Sequence, residues 1–253
     1  MAVELNQLAA YCNDFLEVEA VTDFCPQGLQ VEGRSPVRSI VSGVTACQAL
    51  LDEAVAAEAD LVLVHHGYFW KGEDPRVVGM KGRRLRTLLR NDLSLLAYHL
   101  PLDRHPVVGN NAELMRVLEV EGAVPFGRLG GVAIGMGGQL ATPTDPGVFL
   151  ERVEGRLETR ILHVAGPQER IQRVALCSGG APDLVEEAAE AGYDCYLTGE
   201  SNERSTHMAR EMGIHFIAAG HHATERFGAA ALGRHLAGEF GLQHRFVDIP
   251  NPA

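Results

Sequence analysis

The stretch Leu50–Gly67, LLDEAVAAEADLVLVHHG, reads as an acidic, Ala-rich helix, then an Asp, then an apolar β-like run that ends in two histidines. The same order returns in Leu184–Ser201, LVEEAAEAGYDCYLTGES, at an offset of 134 positions (Leu50 to Leu184). Further along, LLAYHLPLD (Leu95–Asp103) resembles FIAAGHHATE (Phe216–Glu225), with His99 falling on His221 and Asp103 on Glu225, both at an offset of 122. Ala-rich helices resemble one another by chance. The match of a strand-ending His with a carboxylate four residues on is what lifts the repeat above chance. Such a repeat predicts two pseudo-symmetric α/β halves packed around a central cleft that holds a dinuclear metal site.

The rest of the chain continues the alternation. Apolar runs at Ser39–Val44, Leu61–Val64, Leu93–His99, Arg160–Val164, Val174–Cys177, Cys195–Leu197, His215–Ala219 and Arg245–Ile249 are separated mostly by amphipathic stretches of helix length. Those stretches are Cys47–Ala57, Gly82–Arg90, Asn111–Leu118, Pro182–Ala191, Asn202–Met212 and Thr224–Phe240. This order predicts an α/β fold with largely buried strands. Glycines cluster over Gly127–Gly138, followed by TPTDPG, and mark the expected boundary between a first half, 1–126, and a second half, 127–253, with no inserted middle domain.

Composition narrows the function classes. The 253 residues carry a net charge of −11, with 33 acids against 22 Lys plus Arg, which disfavours broad nucleic-acid binding. The one basic run, Lys81–Arg90, has helical spacing and reads as a solvated helix face. No stretch approaches the roughly 20 apolar residues of a membrane span. The N-terminus lacks the basic start and apolar core of a signal peptide, so a cytoplasmic location is expected. Five widely spaced cysteines without a CxxC offer neither a zinc knuckle nor a dithiol motif. Cys47, Cys177 and Cys195 read as small core residues.

Only 11 residues are His, yet two HH pairs occur, and both follow apolar runs directly: His65–His66 after LVLV and His221–His222 after FIAAG. Sites in open α/β sheets form at the carboxyl ends of strands. Adjacent residues on an extended segment point to opposite sides, so His65 and His66 suit two different ions. His221 and Glu225 share a helix face if the segment is helical. Asp103 and Glu225 are the candidates for a carboxylate that bridges two cations. The metal set is therefore His65, His66, Asp103, His221 and Glu225. Imidazole with carboxylate suits two divalent ions such as iron, zinc, manganese, cobalt or nickel. Open coordination positions make hydrolysis the default chemistry.

His99, His105 and Glu200 are candidate acid–base or ligand-supporting groups, with packing or capping as the alternative for the histidines. Trp70 and Lys71, after the HHG turn, suit a stacked base and a phosphate, although core packing is the more common fate of an aromatic run. Ser178–Gly179–Gly180 has the form of a weak anion-binding turn.

The segments PQGLQVEG (Pro26–Gly33), SGVTACQALLDEA (Ser42–Ala54), VHHGYFWKG (Val64–Gly72), YHLPLDRHPVVGNNAEL (Tyr98–Leu114), TGE (Thr198–Glu200) and AAGHHATER (Ala219–Arg226) resemble the GTP cyclohydrolase 1 type 2 family, also called the Nif-three-like dinuclear metal-centre family, in its bacterial short form. The resemblance runs from about Leu5 to the C-terminus. It implies two related α/β halves, assembly as a homohexameric toroid of dimers, and metal ligands at His65, His66, Asp103, His221 and Glu225, with Glu225 the shared carboxylate. His222 stands where relatives often carry an aromatic and is left out of the ligand set. The implied activity is hydrolytic opening of the GTP purine ring, with a metal-bound hydroxide attacking a purine carbon. The alternative is a metal-binding or metal-delivery protein without turnover. A third reading makes the metals a structural staple.

Overall fold

The computed structural model describes residues Met1–Ala253. Along the chain run α1 (Leu5–Phe15), β1 (Gly28–Val31), β2 (Ser39–Thr45), α2 (Gln48–Ala56), β3 (Leu61–His66), α3 (Gly79–Arg90), β4 (Ser94–Ala97), α4 (Leu100–Arg104) and α5 (Asn110–Val117). There follow β5 (Val120–Leu129), β6 (Val132–Thr144), α6 (Pro146–Leu157), β7 (Leu162–Val164), β8 (Ile171–Cys177), α7 (Val185–Glu190), β9 (Cys195–Thr198), α8 (Glu203–Met212), β10 (His215–Ala218), α9 (His221–Phe240) and β11 (Gln243–Phe246). No helix is long and apolar enough to cross a membrane.

The chain forms two compact α/β units. The first comprises Met1–Leu102 and Gly228–Pro250, the second Asp103–Phe227 and Asn251–Ala253. The first holds a five-stranded sheet in the order β1-β4-β3-β2-β11, the second a six-stranded sheet in the order β5-β6-β8-β9-β10-β7. In the first, β2, β3, β4 and β11 are parallel and β1 lies antiparallel beside β4. In the second, β8, β9 and β10 are parallel and β7 lies antiparallel beside β10. The four-strand pattern β1-β4-β3-β2 thus recurs as β7-β10-β9-β8.

The repeat extends to single hydrogen bonds. Asp60 Oδ2 accepts from the backbone N–H groups of Arg38 and Ser39 at 2.8 and 3.1 Å, where β2 begins. Asp194 Oδ2 accepts from Gln172 and Arg173 at 2.9 and 2.7 Å, at the same point of β8. All three residues of each set are related by the offset of 134. The Asp before each strand therefore closes orphan donors of the neighbouring strand and sets its register.

Each unit buries its own core. In the first, Val41, Val62, Val64, Leu95 and Ala97 pack under Leu50, Leu51, Ala54, Leu85 and Leu88 of α2 and α3. In the second, Val174, Leu176, Leu197 and Ile217 pack with Leu114 of α5, Leu118 just after it, and Phe149, Val153 and Leu157 of α6. The central strands are buried on both faces, which is why β3 and β9 read as unbroken apolar runs and not as alternation. The basic run behaves as a solvated face: in α3, Gly82, Leu85 and Leu88 point inward, while Arg83, Arg86 and Arg90 are exposed. Cys12, Cys25, Cys177 and Cys195 are buried and Cys47 half-buried, all as free thiols.

The glycine cluster lies in a β-hairpin. β5 and β6 form a long antiparallel hairpin across it, turning at Gly130 and Gly131, both at positive φ. The glycines of β6 mark close packing: a Cβ on Gly135 would lie 2.6 Å from the Leu176 carbonyl oxygen of β8. The compact units part at Leu102/Asp103, Phe227/Gly228 and Pro250/Asn251. Pairing explains the second break, because β11 runs parallel to β2, from Gln243 beside Ser39 to Phe246 beside Ser42.

This packing has measurable consequences for stability. Gly135→Ala forces a side chain against a backbone carbonyl and is expected to cost about 1–3 kcal/mol, read as a lowered urea midpoint. His244, whose Nε2 lies 2.7 Å from the Ser42 hydroxyl, has its pKa pushed down to about 4 by burial, with Arg234 adding to the effect. The unfolded chain takes up this proton near pH 6.5 and the folded chain does not. The resulting stability is present above about pH 6.5 and is lost as pH falls towards 4. His244→Gln should flatten that part of a stability–pH curve measured by denaturant titration.

Candidate metal centre

In the first unit the chemistry sits where β3 and β4 stop. Val64 pairs with Ala97, so the residues that follow, His65–His66 and Tyr98–His99, emerge side by side. One ring nitrogen from each of His65, His66 and His99 lies within 4.8 Å of the others. Ring centroids are 4.5 Å apart for His65–His66 and 5.0 Å for His65–His99. His65 is fully buried, and its Nδ1–H donates to the Tyr98 carbonyl at 2.9 Å. That bond fixes the tautomer and leaves the lone pair on Nε2, the form a metal takes. His66 Nδ1 lies 3.3 Å from the Thr45 hydroxyl. His99 Nδ1 donates to Asp23 Oδ1 at 2.8 Å.

Trp70 packs edge-on to His99 at 5.0 Å and lies 5.9 Å from His66, its indole N–H donating to the Gly67 carbonyl. Lys71 is exposed. Tyr68 is a core residue whose hydroxyl donates to the Ala46 carbonyl at 2.7 Å.

In the second unit the donors stand at the starts of helices. Glu225 lies one turn into α9 and His221 begins it, and this spacing brings His221 Nε2 to 3.1 Å from Glu225 Oε2. His221 Nδ1 faces Glu200 Oε1 at 2.7 Å, just beyond the end of β9. The hydrogen bond to Glu225, working against burial and helped by Glu200, pushes the His221 pKa up to about 9. Two carboxylates thus draw positive charge to this spot. Gly179, at positive φ, is required beside them, because a Cβ there would run into Glu225 Oε1 and the His221 ring.

Asp103 is buried on α4. Its Oδ1 accepts from the Ser178 hydroxyl at 3.0 Å and from Asn110 Nδ2 at 2.9 Å. Asn111, fully buried, donates to the carbonyls of Asp103 and Ile134, and its Oδ1 accepts from the Ser178 N–H. The carboxylate is therefore held in one orientation by Ser178 and Asn110, and Asn111 braces the Asp103 and Ser178 backbones, roles the sequence did not disclose. Only Ser178 drew notice, as part of an anion-binding turn. The N–H groups of Ser178 and Gly179 are instead spent on Asn111 and Thr224. His105 serves a turn, its Nδ1 accepting from the N–H groups of Val107 and Val108 at 3.2 Å each. His222 is buried, and its backbone N–H donates to the Ala253 carbonyl.

The donor chemistry fits divalent ions: imidazoles with one ring nitrogen already hydrogen-bonded in one unit, and carboxylates oriented by hydrogen bonds in the other. Buried Cys177 offers no competing thiolate, since burial, reinforced by Asp103 and Glu225, holds its thiol well above the ordinary range.

The family model described as Duf34/NIF3 (NGG1p interacting factor 3) matches residues 3–252. The chain belongs to the Duf34/NIF3 family. Its relatives within the family include a Pseudomonas aeruginosa protein named GTP cyclohydrolase 1 type 2 homolog, 56% identical over 255 residues and covering 100% of both chains. The solved structure of the ybgI protein, described as of unknown function, superposes with a TM-score of 0.94 at 47% identity, covering 99% of this chain and 100% of that one. A structure from Thermus thermophilus gives a TM-score of 0.90 at 34% identity, with 99% and 100% covered. The two-unit α/β architecture expected from the repeat is that of this Duf34/NIF3 fold.

The Glu200–His221 bond bears on metal binding. Glu200→Gln removes the carboxylate that orients the imidazole and should weaken metal affinity about 10–100-fold. Titration of metal-free protein against a chromophoric chelator checks it.

Proposed function

We propose that the protein is a dinuclear metal-dependent hydrolase in which His65, His66, Asp103, His221 and Glu225 hold two divalent ions, Glu225 being the shared ligand. The observation that carries the reading is the tautomer and carboxylate control described above: each unit presents metal-donor atoms whose opposite sides are already hydrogen-bonded, as metal ligands are. Two such ions, when bound, supply a water of lowered pKa and a polarised substrate oxygen.

The chain's own residues provide the rest. His99 moves a proton at its Nε2. Glu200, bonded to His221, acts through that imidazole. Trp70 offers an aromatic edge and Lys71 an exposed ammonium for a nucleotide-like substrate, the base on the first and phosphate on the second. GTP is the substrate to test first, with the names of the relatives and the family resemblance as its support. Iron, zinc, manganese and nickel all match the nitrogen and oxygen donors. Assembly as a homohexamer, a toroid of dimers, and a cytoplasmic location belong to the same reading and rest on family membership.

The test is turnover of GTP by metal-loaded protein, beside His65→Ala and Glu225→Ala. Ring opening by the native chain and a loss of at least about 100-fold in either variant are expected, a size in keeping with removal of a metal-based electrostatic stabiliser. Equal activity in all three proteins contradicts the reading. Absence of turnover together with rapid transfer of metal to an apo acceptor favours the metal-delivery alternative.

A further inference from the structure

His99 is the repeat counterpart of His221, at the offset of 122, and both rings are held in the same manner. His221 Nδ1 meets a carboxylate oxygen of Glu200 at 2.7 Å, and His99 Nδ1 meets one of Asp23 at 2.8 Å. The two carboxylates are not repeat counterparts. Glu200 follows β9 in the position that His66 occupies in the first unit, while Asp23 comes from the segment before β1. Equivalent histidines are thus oriented by unrelated acids, so the orientation is not a by-product of the repeat.

Asp23 is committed to this contact. Its side chain is 2% exposed. Oδ1 accepts the Nδ1–H of the His99 ring, and Oδ2 accepts the N–H of Leu100 at 2.8 Å, at the start of α4. The backbone N–H of His99 donates to Gln27 Oε1 at 2.7 Å. His99 is therefore pinned at its ring, at its own backbone and at the next residue. Burial pushes the Asp23 pKa up, but the hydrogen bonds from His99, Phe24 and Leu100 outweigh it, so the carboxyl stays ionised and acts only as an acceptor. With Nδ1–H spent on Asp23, the lone pair of the neutral His99 ring lies on Nε2. A ring nitrogen of His99 is within 4.8 Å of those of His65 and His66. The Trp70 edge closes one flank of the ring.

We infer that Asp23 is a positioning residue that locks His99 in its Nδ1–H tautomer, so that Nε2 is the atom presented to the substrate's reacting centre. The inference deepens the hydrolase reading and rests on it for its chemistry. Nε2 takes the proton of the attacking water as the new C–O bond forms, then returns it to the departing nitrogen as the C–N bond breaks, and the imidazole ends neutral. Asp23 touches neither water nor substrate. An acceptor-only partner is essential to this role: the amide of an asparagine can donate to Nδ1 and stabilise the opposite tautomer.

The test reads the tautomer directly in the full-length, zinc-loaded protein labelled with nitrogen-15 at histidine. Long-range proton–nitrogen correlation identifies the His99 ring by its disappearance in His99→Gln. The native ring is expected as the Nδ1–H form. In Asp23→Asn the Nε2–H form should predominate, and in Asp23→Ala both forms should appear. Bound zinc by elemental analysis should match the native protein in both variants. Where GTP is turned over, Asp23→Asn should lower kcat about 10–100-fold with KM changed less than about threefold. An unchanged tautomer in both variants overturns the inference. So does loss of zinc equal to that of His65→Ala, which makes Asp23 a support of the metal site. A tautomer switch in a protein that hydrolyses no nucleotide leaves the positioning role intact and overturns the hydrolase reading instead.

Discussion

The structure depends on the register of its parallel strands. In the first unit Val64 and Ala97 form the last pair of β3 with β4, which sets His65 beside Tyr98 and His66 beside His99. A one-residue slip would turn His65 away from the Tyr98 carbonyl that fixes its tautomer. In the second unit Cys177, Thr198 and Ala218 end their strands level with one another, which delivers Ser178, Glu200 and His221 to the same end of the sheet. Asp60 and Asp194, each capping the start of the neighbouring strand, hold these registers from the opposite end.

The same constraint explains what the sequence disclosed. The offsets of 134 and 122 fall on β3 with β9 and on β4 with β10, and the HH and His-x3-carboxylate motifs lie at the carboxyl ends of those strands, legible because both signals are local. The hairpin of β5 and β6 escaped, since glycines that fit a strand against the Leu176 carbonyl look the same in sequence as glycines of a linker. The return of the chain to the first unit is hidden for a related reason. β11 returns to pair with β2, and no local pattern reports a partner some 200 positions away (Ser39 to Gln243).

Residues that hold the donors were hidden for the same physical cause. Asn110, Asn111 and Asp23 act through space, and nothing in their own neighbourhood announces it. Asp23 lies 76 positions from His99. Ser178 stands 75 from Asp103. Short polar side chains serve turns and caps throughout proteins, so only the folded chain separates an orienting role from a turn. The orientation has a chemical purpose: an imidazole with Nδ1 donating keeps Nε2 as a lone pair, and a carboxylate with one oxygen already accepting two hydrogen bonds presents the other in a defined direction.

The proposed function requires that these oriented donors hold two ions. Anomalous diffraction at the zinc edge, from crystals of the zinc-loaded protein, tests it most directly. Two peaks are predicted, about 3.5–4 Å apart, within bonding distance of His65, His66, Asp103, His221 and Glu225, with the Glu225 carboxylate touching both. A single peak, or zinc bound away from these five residues, would contradict it.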